Sequence, residues 1–389
     1  MTSSNWPKYS RKESEIISNI LLSNKVNYLF GNEGKKFEKN FSKFTNTKYA
    51  LALANGTLAL DLCLRSIEVK EKDEVIVTGR TFIASASCIS LLGAKPIFVD
   101  VDINSQNLDT NLIEKAITKN TKAIVCVHFS GFPCDMPKIM KLAKKNSLLV
   151  IEDCAQAHGA KINNRSVGSF GHINAWSFCN DKIMTTGGEG GMITTNNKNL
   201  YKKAASFNNH GKNLKKYYSL TSKSLNSFPY IHDELGLNYR LTEIQSALGN
   251  YQLKKMKEWN RLRNRNALYI INKVKDLHLV NFPVIHDKYT HAFYKLYLTI
   301  NPKYLKVGKN RSHILKSLNQ HGVNASFGSS GRVFAEKAFR DARTIPIGLP
   351  NSSFLEENSI MLQVHPTISF SDLKKTTSAL YKILLNFQK

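Results

Sequence analysis

Short apolar runs return at regular intervals between residues 48 and 196, and most lead into a helical stretch. "KYALALANG" (48–56) breaks at Asn55-Gly56 and gives way to "TLALDLCLRSI"; "DEVIVTG" (73–79) gives way to "FIASASCISLLG". "KPIFVDVD" (95–102), "KAIVCVHFSG" (122–131) and "LLVIEDCA" (148–155) continue the rhythm, with "MPKIMKLAKKN" as a helix between the last two. "NAWSFC" (174–179) and "GGMITTN" (190–196) extend the strand count. Strands alternating with helices call for a mostly parallel sheet covered by helices on both faces, an α/β fold. Two amphipathic helices, 12–23 and 35–44, precede it.

After about residue 235 the rhythm changes. "RLTEIQSALGNYQLKKMKEWNRLRNRNALYIINKV" sets Leu241, Ile244, Leu248 and Tyr251 on one stripe, which predicts a single long helix. An apolar run "FYKLYLTI" (293–300), a helix "SHILKSLNQHG" and a last helix near 371–387 follow. The expected division is a large α/β domain over 1–240, with the N-terminal helices, and a smaller α+β domain over 241–389.

The 389 residues allow a large buried core, and the formal net charge of +26 raises the question of an anionic partner. The lysines are spread along the whole chain, and no RRM, KH or helix-turn-helix signature accompanies them, so a dispersed, solvated charge is the reading. Six cysteines show neither a CxxC pair nor His/Cys ligand spacing, and Cys126 in "AIVCVHF" reads as a small core residue; no metal is expected. The stretch "MTSSNWPKYSRKESEIISNILL" has no apolar h-region, and no run approaches the ~18 residues that cross a bilayer. A reducing cytoplasm is the expected location, with neither membrane nor nucleic acid as partner.

In open α/β sheets ligands sit beyond the carboxyl ends of the strands. Those ends read "NGT" (55–57), "GRTF" (79–82), "HFSG" (128–131), "EDCAQ" (152–156) and "SFCNDK" (177–182). Gly56-Thr57 opens a helix, where backbone N–H groups and a hydroxyl suit a phosphate; many such turns are purely structural. Asp153 closes an almost wholly apolar strand, so it either meets a cation or strong donor or caps a helix over "CAQAHGA". Lys182 follows a strand among small residues, where desolvation favours a neutral, reactive amine. "TTGGEGG" lacks the GK[ST] of a phosphate-binding loop and does not open a βαβ unit. An aldehyde cofactor on Lys182 accounts for more: Asp153 for a protonated ring nitrogen, Gly56-Thr57 for a phosphate tail, Phe82 for a flat ring. Pyridoxal phosphate needs all of these.

The ordered series "ANGTLAL", "RTFIASAS", "KPIFVDVD", "VIEDCAQAHGA", "SFCNDKIMTTGGEGGM", "HGK", "LGLNYRLTEIQSALGNYQLKK" and "MLQVHPTIS" resembles the sugar aminotransferases of the DegT/DnrJ/EryC1/StrS group over nearly the whole chain. These are fold-type I pyridoxal-phosphate enzymes, aspartate-aminotransferase-like in fold. The resemblance implies that Lys182 forms the Schiff base and shuttles protons, and that Asp153 partners the pyridine nitrogen. It places Gln156 near the ring hydroxyl, Phe82 against the ring, and Gly56, Thr57 and Ser177 on the phosphate. Asn238, in "GLNYR", matches an asparagine reaching the phosphate from the other subunit, which implies a homodimer with a shared active site. His158 and His210 are either polar groups near the substrate or structural hydrogen bonders.

Departures from the family pattern are an extra glycine in "TTGGEGGM", Gly79 where a proline is usual, and "GSSGRVFAEKAF" (328–339) in a small-domain loop. These are similar to a branch making 4-amino-4,6-dideoxyglucose on a nucleotide carrier. The implied reaction moves an amino group, from glutamate by resemblance, to a nucleotide-linked 4-keto-6-deoxy sugar for surface polysaccharide such as O-antigen. A 3-keto sugar is the alternative. A related dehydratase would have histidine in place of Lys182, and a non-catalytic regulator would be expected to lose Lys182 or Asp153.

Overall fold

Seven of the apolar runs meet in one sheet: β1 (Tyr49–Leu53), β2 (Glu74–Thr78), β3 (Lys95–Val99), β4 (Thr121–Val127), β5 (Leu149–Asp153), β6 (Ile173–Ser177) and β7 (Gly191–Thr195). The computed structural model describes residues 5–220, 228–329 and 331–389; residues 1–4 of the N-terminal stretch and Ser330 in the 328–339 loop lie outside the described residues. The strand order is β1-β7-β6-β5-β4-β2-β3, with the short strand Thr344–Ile345 on the outer edge of β3. β7 runs against its neighbours β1 and β6, while the pairs from β6 to β3 are parallel. Alternation along each strand explains the continuous apolar runs. Val75 and Val77 enter one core with Val125 and Ile151, while Ile76, Ile124 and Val150 enter another on the opposite face.

The register of this sheet assembles one edge. Asp153 pairs with Ala175, two residues before Ser177, so the ends of β5 and β6 lie side by side. Leu53 and Ser177 both pair with Gly191, which sets the chain leaving β1 beside Ser177.

The C-terminal part has its own four-stranded antiparallel sheet, ordered Val280–Asn281, Leu296–Ile300, Ser359–Leu362, Ala325–Ser326. Its core joins Leu298 and Ile360 to Ile270, Ile314, Leu380 and Leu384 of the helices Met256–Val274, Arg311–Gln320 and Phe370–Phe387.

Two features differ from the sequence reading. The single long helix is two, Glu243–Leu253 and Met256–Val274. At the break the N–H groups of Lys254 and Lys255 turn to the carbonyls three residues back, Tyr251 and Gln252. The reason is tertiary. Gln252 is bound to Thr185 N and Glu13, holding the first helix to the loop between β6 and β7 and to the helix Arg11–Leu22, whereas Ala267, Ile270 and Val274 of the second enter the smaller sheet's core. One straight helix cannot serve both. The second difference is the return of 333–349 to the first core through Val333, Phe339 and Leu349, with Thr344–Ile345 pairing on Phe98 and Val99. A two-residue strand has no periodicity to read. Among the described residues no helix is long and apolar enough to cross a membrane.

Candidate active site

Asp153 is 5% exposed at the end of β5. Its Oδ2 accepts from the Ser85 hydroxyl at 2.7 Å and its Oδ1 from Ala155 N–H at 3.1 Å. No helix follows it; residues 154–159 are turns, so the helix-cap alternative is removed. Burial pushes its pKa up, and the Ser85 hydroxyl, Ala155 N–H and the charges of Lys182 and His128 oppose this without cancelling it. No cation lies within ion-pair distance of it among the described residues.

Lys182 sits in the loop after β6, its N–H bonded to Cys179 O. Its Nζ is 3.4 Å from Asp181 Oδ1 and 3.5 Å from the Tyr294 hydroxyl, which itself donates to Asp181 in a short hydrogen bond. Burial alone would raise the Asp181 carboxyl, but Lys182, the Tyr294 hydroxyl and Lys295 outweigh it and hold it below the usual range. From above, the Trp6 indole N–H donates to Lys182 O at 2.7 Å, with the ring lying between Trp259, His365 and Arg263.

Helix Gly56–Ser66 begins where β1 ends, and its N-cap Asn55 accepts from Leu58 N–H. The N–H groups of Gly56 and Thr57 are left outside that cap and aim out of the helix start. A Cβ on Gly56 would stand 2.6 Å from Ser177 Cβ, so glycine is what lets the Ser177 side chain approach this N-terminus. Phe82 leaves 65% of its surface uncovered while Arg80 and Thr81 beside it are buried. Gln156 is buried and its Oε1 accepts from Ser130 N–H, leaving its amide N–H groups for another acceptor.

Asn238 stands apart from this set. It is exposed, its Oδ1 accepts from Arg240 N–H, and its backbone bridges to Asn209; its side chain makes no hydrogen bond to the other seven residues. His158 is fully buried against Trp176, Phe178 and Phe41, and burial, then the charges of Lys182 and Arg263, push it down to about 3. It is a neutral core imidazole. His210 is exposed in a left-handed turn with φ 60. His128, Glu152 and Cys154 lie close enough to resemble a metal cluster, but their atoms are engaged. Glu152 accepts from Gly168, Phe170 and Gly171 N–H and pairs with His128 Nε2, while His128 Nδ1 accepts from Cys134 N–H.

The sequence reading gave no role to Ser85, Asp181, Tyr294, Lys295 or Trp6. One signal was available: a lysine inside the apolar run "FYKLYLTI" has to be accounted for. The residues fit pyridoxal phosphate on this geometry. A buried carboxylate lacks an ion-pair partner, a helix start presents free N–H groups beside a serine, a large ring is bare, and the Lys182 amine is near enough for its charge to act on that carboxylate.

Comparison with known proteins identifies a family. The model of the DegT/DnrJ/EryC1/StrS aminotransferase family matches residues 8–381. The X-ray structure of an aminotransferase from Psychrobacter cryohalolentis superposes with TM-score 0.95 at 43% identity, covering 98% of this chain and 99% of that one. A GDP-perosamine synthase of Escherichia coli O157:H7 is 40% identical over 287 residues, 72% of this chain and 74% of its own. A UDP-N-acetyl-3-dehydro-alpha-D-glucosamine 3-aminotransferase of Acidithiobacillus ferrooxidans is 32% identical over 376 residues, 95% of this chain and 94% of its own. With its α/β sheet, its strand-end lysine and a match running almost from end to end, the chain belongs to the DegT/DnrJ/EryC1/StrS aminotransferase family.

Proposed function

We propose that this chain is a pyridoxal 5'-phosphate-dependent aminotransferase that moves an amino group from glutamate to a nucleotide-linked 4-keto-6-deoxy sugar, giving a 4-amino-4,6-dideoxy sugar. The observation that carries the reading is that Lys182, in the loop after β6, lies near enough for its charge to act on the buried carboxylate of Asp153 at the end of neighbouring β5 without forming an ion pair with it. When bound, the cofactor supplies an aldehyde that condenses with amines and a ring that accepts an electron pair. Asp153 holds the proton on the ring nitrogen; the Ser85 hydroxyl keeps that carboxylate oriented. Lys182 would be the amine that condenses with that aldehyde, and its free Nζ would take up and return a proton as base and then acid. Gly56, Thr57 and Ser177 would hold the phosphate, Phe82 would cover the ring face, and the Gln156 amide N–H would be available to the ring oxygen.

A homodimer with a shared site is part of the proposal. Phe228, Tyr230, Leu235 and Leu237, which precede Asn238 along the chain, are exposed, Leu235 by 95%, apolar surface that a partner subunit would cover. The division into units 1–240 and 241–389 is also proposed; the smaller sheet's own apolar core supports it, with 333–349 lent back to the larger unit and Met256, Ala292 and Tyr294 packing with Phe37, Trp176 and Phe178 across the division. Five of the six free cysteines are buried thiols, which supports a reducing cytoplasm.

A second reading is amination at C3, favoured by the 3-aminotransferase relative. The test is to incubate the protein with glutamate and GDP-, dTDP- and UDP-linked 3-keto and 4-keto sugars and identify the product by NMR. Product aminated at C4 supports the first reading, product at C3 replaces it, and turnover by Lys182→Ala would end both.

A further inference from the structure

Beside the Lys182 loop a cavity of about 460 Å³ opens toward the smaller sheet, with Asp181, Tyr294, Lys295 and Gln363 on its walls. Lys295, just ahead of strand Leu296–Ile300, is 9% exposed. Of its three N–H groups one reaches Gln363 Oε1 at 2.9 Å; Asp181 Oδ2, at 3.9 Å, is beyond hydrogen-bond range. Burial pushes its pKa down to about 8, with Arg263 and Lys182 adding to that push and Asp181 opposing it.

Behind Tyr294, Arg263 is 1% exposed and donates through Nη1 to the Phe293 and Tyr294 carbonyls. Its Nε and Nη2 have no hydrogen-bond partner among the described residues. Asp181 is the one acidic side chain among the described residues of the cavity wall. Lys182 and Lys295 each lie within 4 Å of that carboxylate, and Arg263, off the cavity wall, is near enough to feel its charge. Buried cations left this short of acceptors are costly unless an anion joins them.

We infer that Lys295 receives the carboxylate of the amino donor, in the place where Asp181 stands between it and Lys182. The inference rests on the aminotransferase reading. In an α-amino acid one carbon separates amine from carboxylate, so a donor amine replacing that of Lys182 brings its carboxylate within about 4 Å of the same point. Asp181 already shows such a bridge, with Lys182 Nζ at 3.4 Å from one oxygen and Lys295 Nζ at 3.9 Å from the other. Its side chain is half exposed, so it can swing aside. The diphosphate of a nucleotide sugar is several bonds from the ring ketone and does not fall at this point while the ketone is at Lys182.

Lys295→Gln should raise KM for glutamate by about tenfold or more, with kcat at saturating glutamate and KM for the keto sugar little changed. Lys295→Arg should recover most of the loss. Titrating the cofactor-loaded protein with 2-methylglutamate, followed by absorbance, needs no sugar and no turnover; its Kd should rise by the same factor in Lys295→Gln. Gln363→Glu, which supplies a competing carboxylate, should weaken the same binding and carries the test if Lys295→Gln does not fold. Unchanged glutamate KM and 2-methylglutamate Kd, or a rise in the sugar KM alone, would overturn the inference. Wild-type protein that binds 2-methylglutamate yet aminates no sugar would end the proposed function and leave this inference standing.

Discussion

The Ser85 hydroxyl donates to Asp153 Oδ2 at 2.7 Å and is itself bonded to Thr81 Oγ1 at 2.8 Å, so the start of the helix Ala84–Ser90 after β2 orients the carboxylate that ends β5. Ser85→Ala removes one of the two hydrogen bonds that carboxylate receives. A hydrogen bond to a charged group is worth ~1.5–3 kcal/mol, so affinity for pyridoxal phosphate should fall roughly ten- to a hundredfold, read by fluorescence titration. Asp153→Asn should lower activity on the order of 10²-fold or more by removing the charge opposite the ring nitrogen. In the cofactor-free protein the effect of pH reverses the usual carboxylate case. The folded pKa lies above the ordinary 3.8, so the folded state binds the proton more readily, and stability declines as pH rises through that window. The melting temperature of cofactor-free Asp153→Asn should lack that part of the decline.

Two buried histidines set an acid limit. Burial pushes His158 and His291 from 6.5 down to about 3, so the unfolded chain takes up protons that the folded one refuses. Stability from each is complete above about pH 6.5 and is lost progressively toward pH 3. At pH 5 the loss is on the order of 2 kcal/mol per histidine. Urea unfolding at pH 7 and pH 5 should show it, and His291→Phe should reduce the difference.

Gly56 and Ser177 are matched in size. Gly56→Ala forces a Cβ to 2.6 Å from Ser177 Cβ, so the helix start must shift away from the serine. Overpacking of this kind costs ~1–3 kcal/mol, and cofactor should be lost first because its phosphate cradle is what moves. Adding Ser177→Gly should restore the melting temperature but not the cofactor affinity.

Asn238 offers a test of the shared site. Lys182→Ala and Asn238→Ala proteins should each be strongly impaired. Unfolded and refolded together, a statistical mixture has half heterodimers with one intact site each, so activity should return to about a quarter of wild type. No recovery would mean that Asn238 serves its own subunit.

How much of this was legible beforehand depends on distance along the chain. The strands β1–β7, the helix start at Gly56 and the strand-end positions of Asp153, Ser177 and Lys182 could be read, because apolar runs, glycine breaks and an isolated carboxylate act over a few residues. The helix broken at Lys254 and the returning strand Thr344–Ile345 could not, because distant partners impose both. Trp6 lies 176 residues from the lysine whose carbonyl it binds, and Arg263 and Lys295 converge on Tyr294 and Asp181 from separate elements.

From the sequence alone came the α/β fold, the chemistry available at the strand ends and the candidate for the reactive amine, since side-chain type and local periodicity are properties of the chain itself. Only the tertiary structure decided which charges share one cavity. Sheet register and the closing of two cores set those distances, and over distance the balance of burial against counter-charge is fixed.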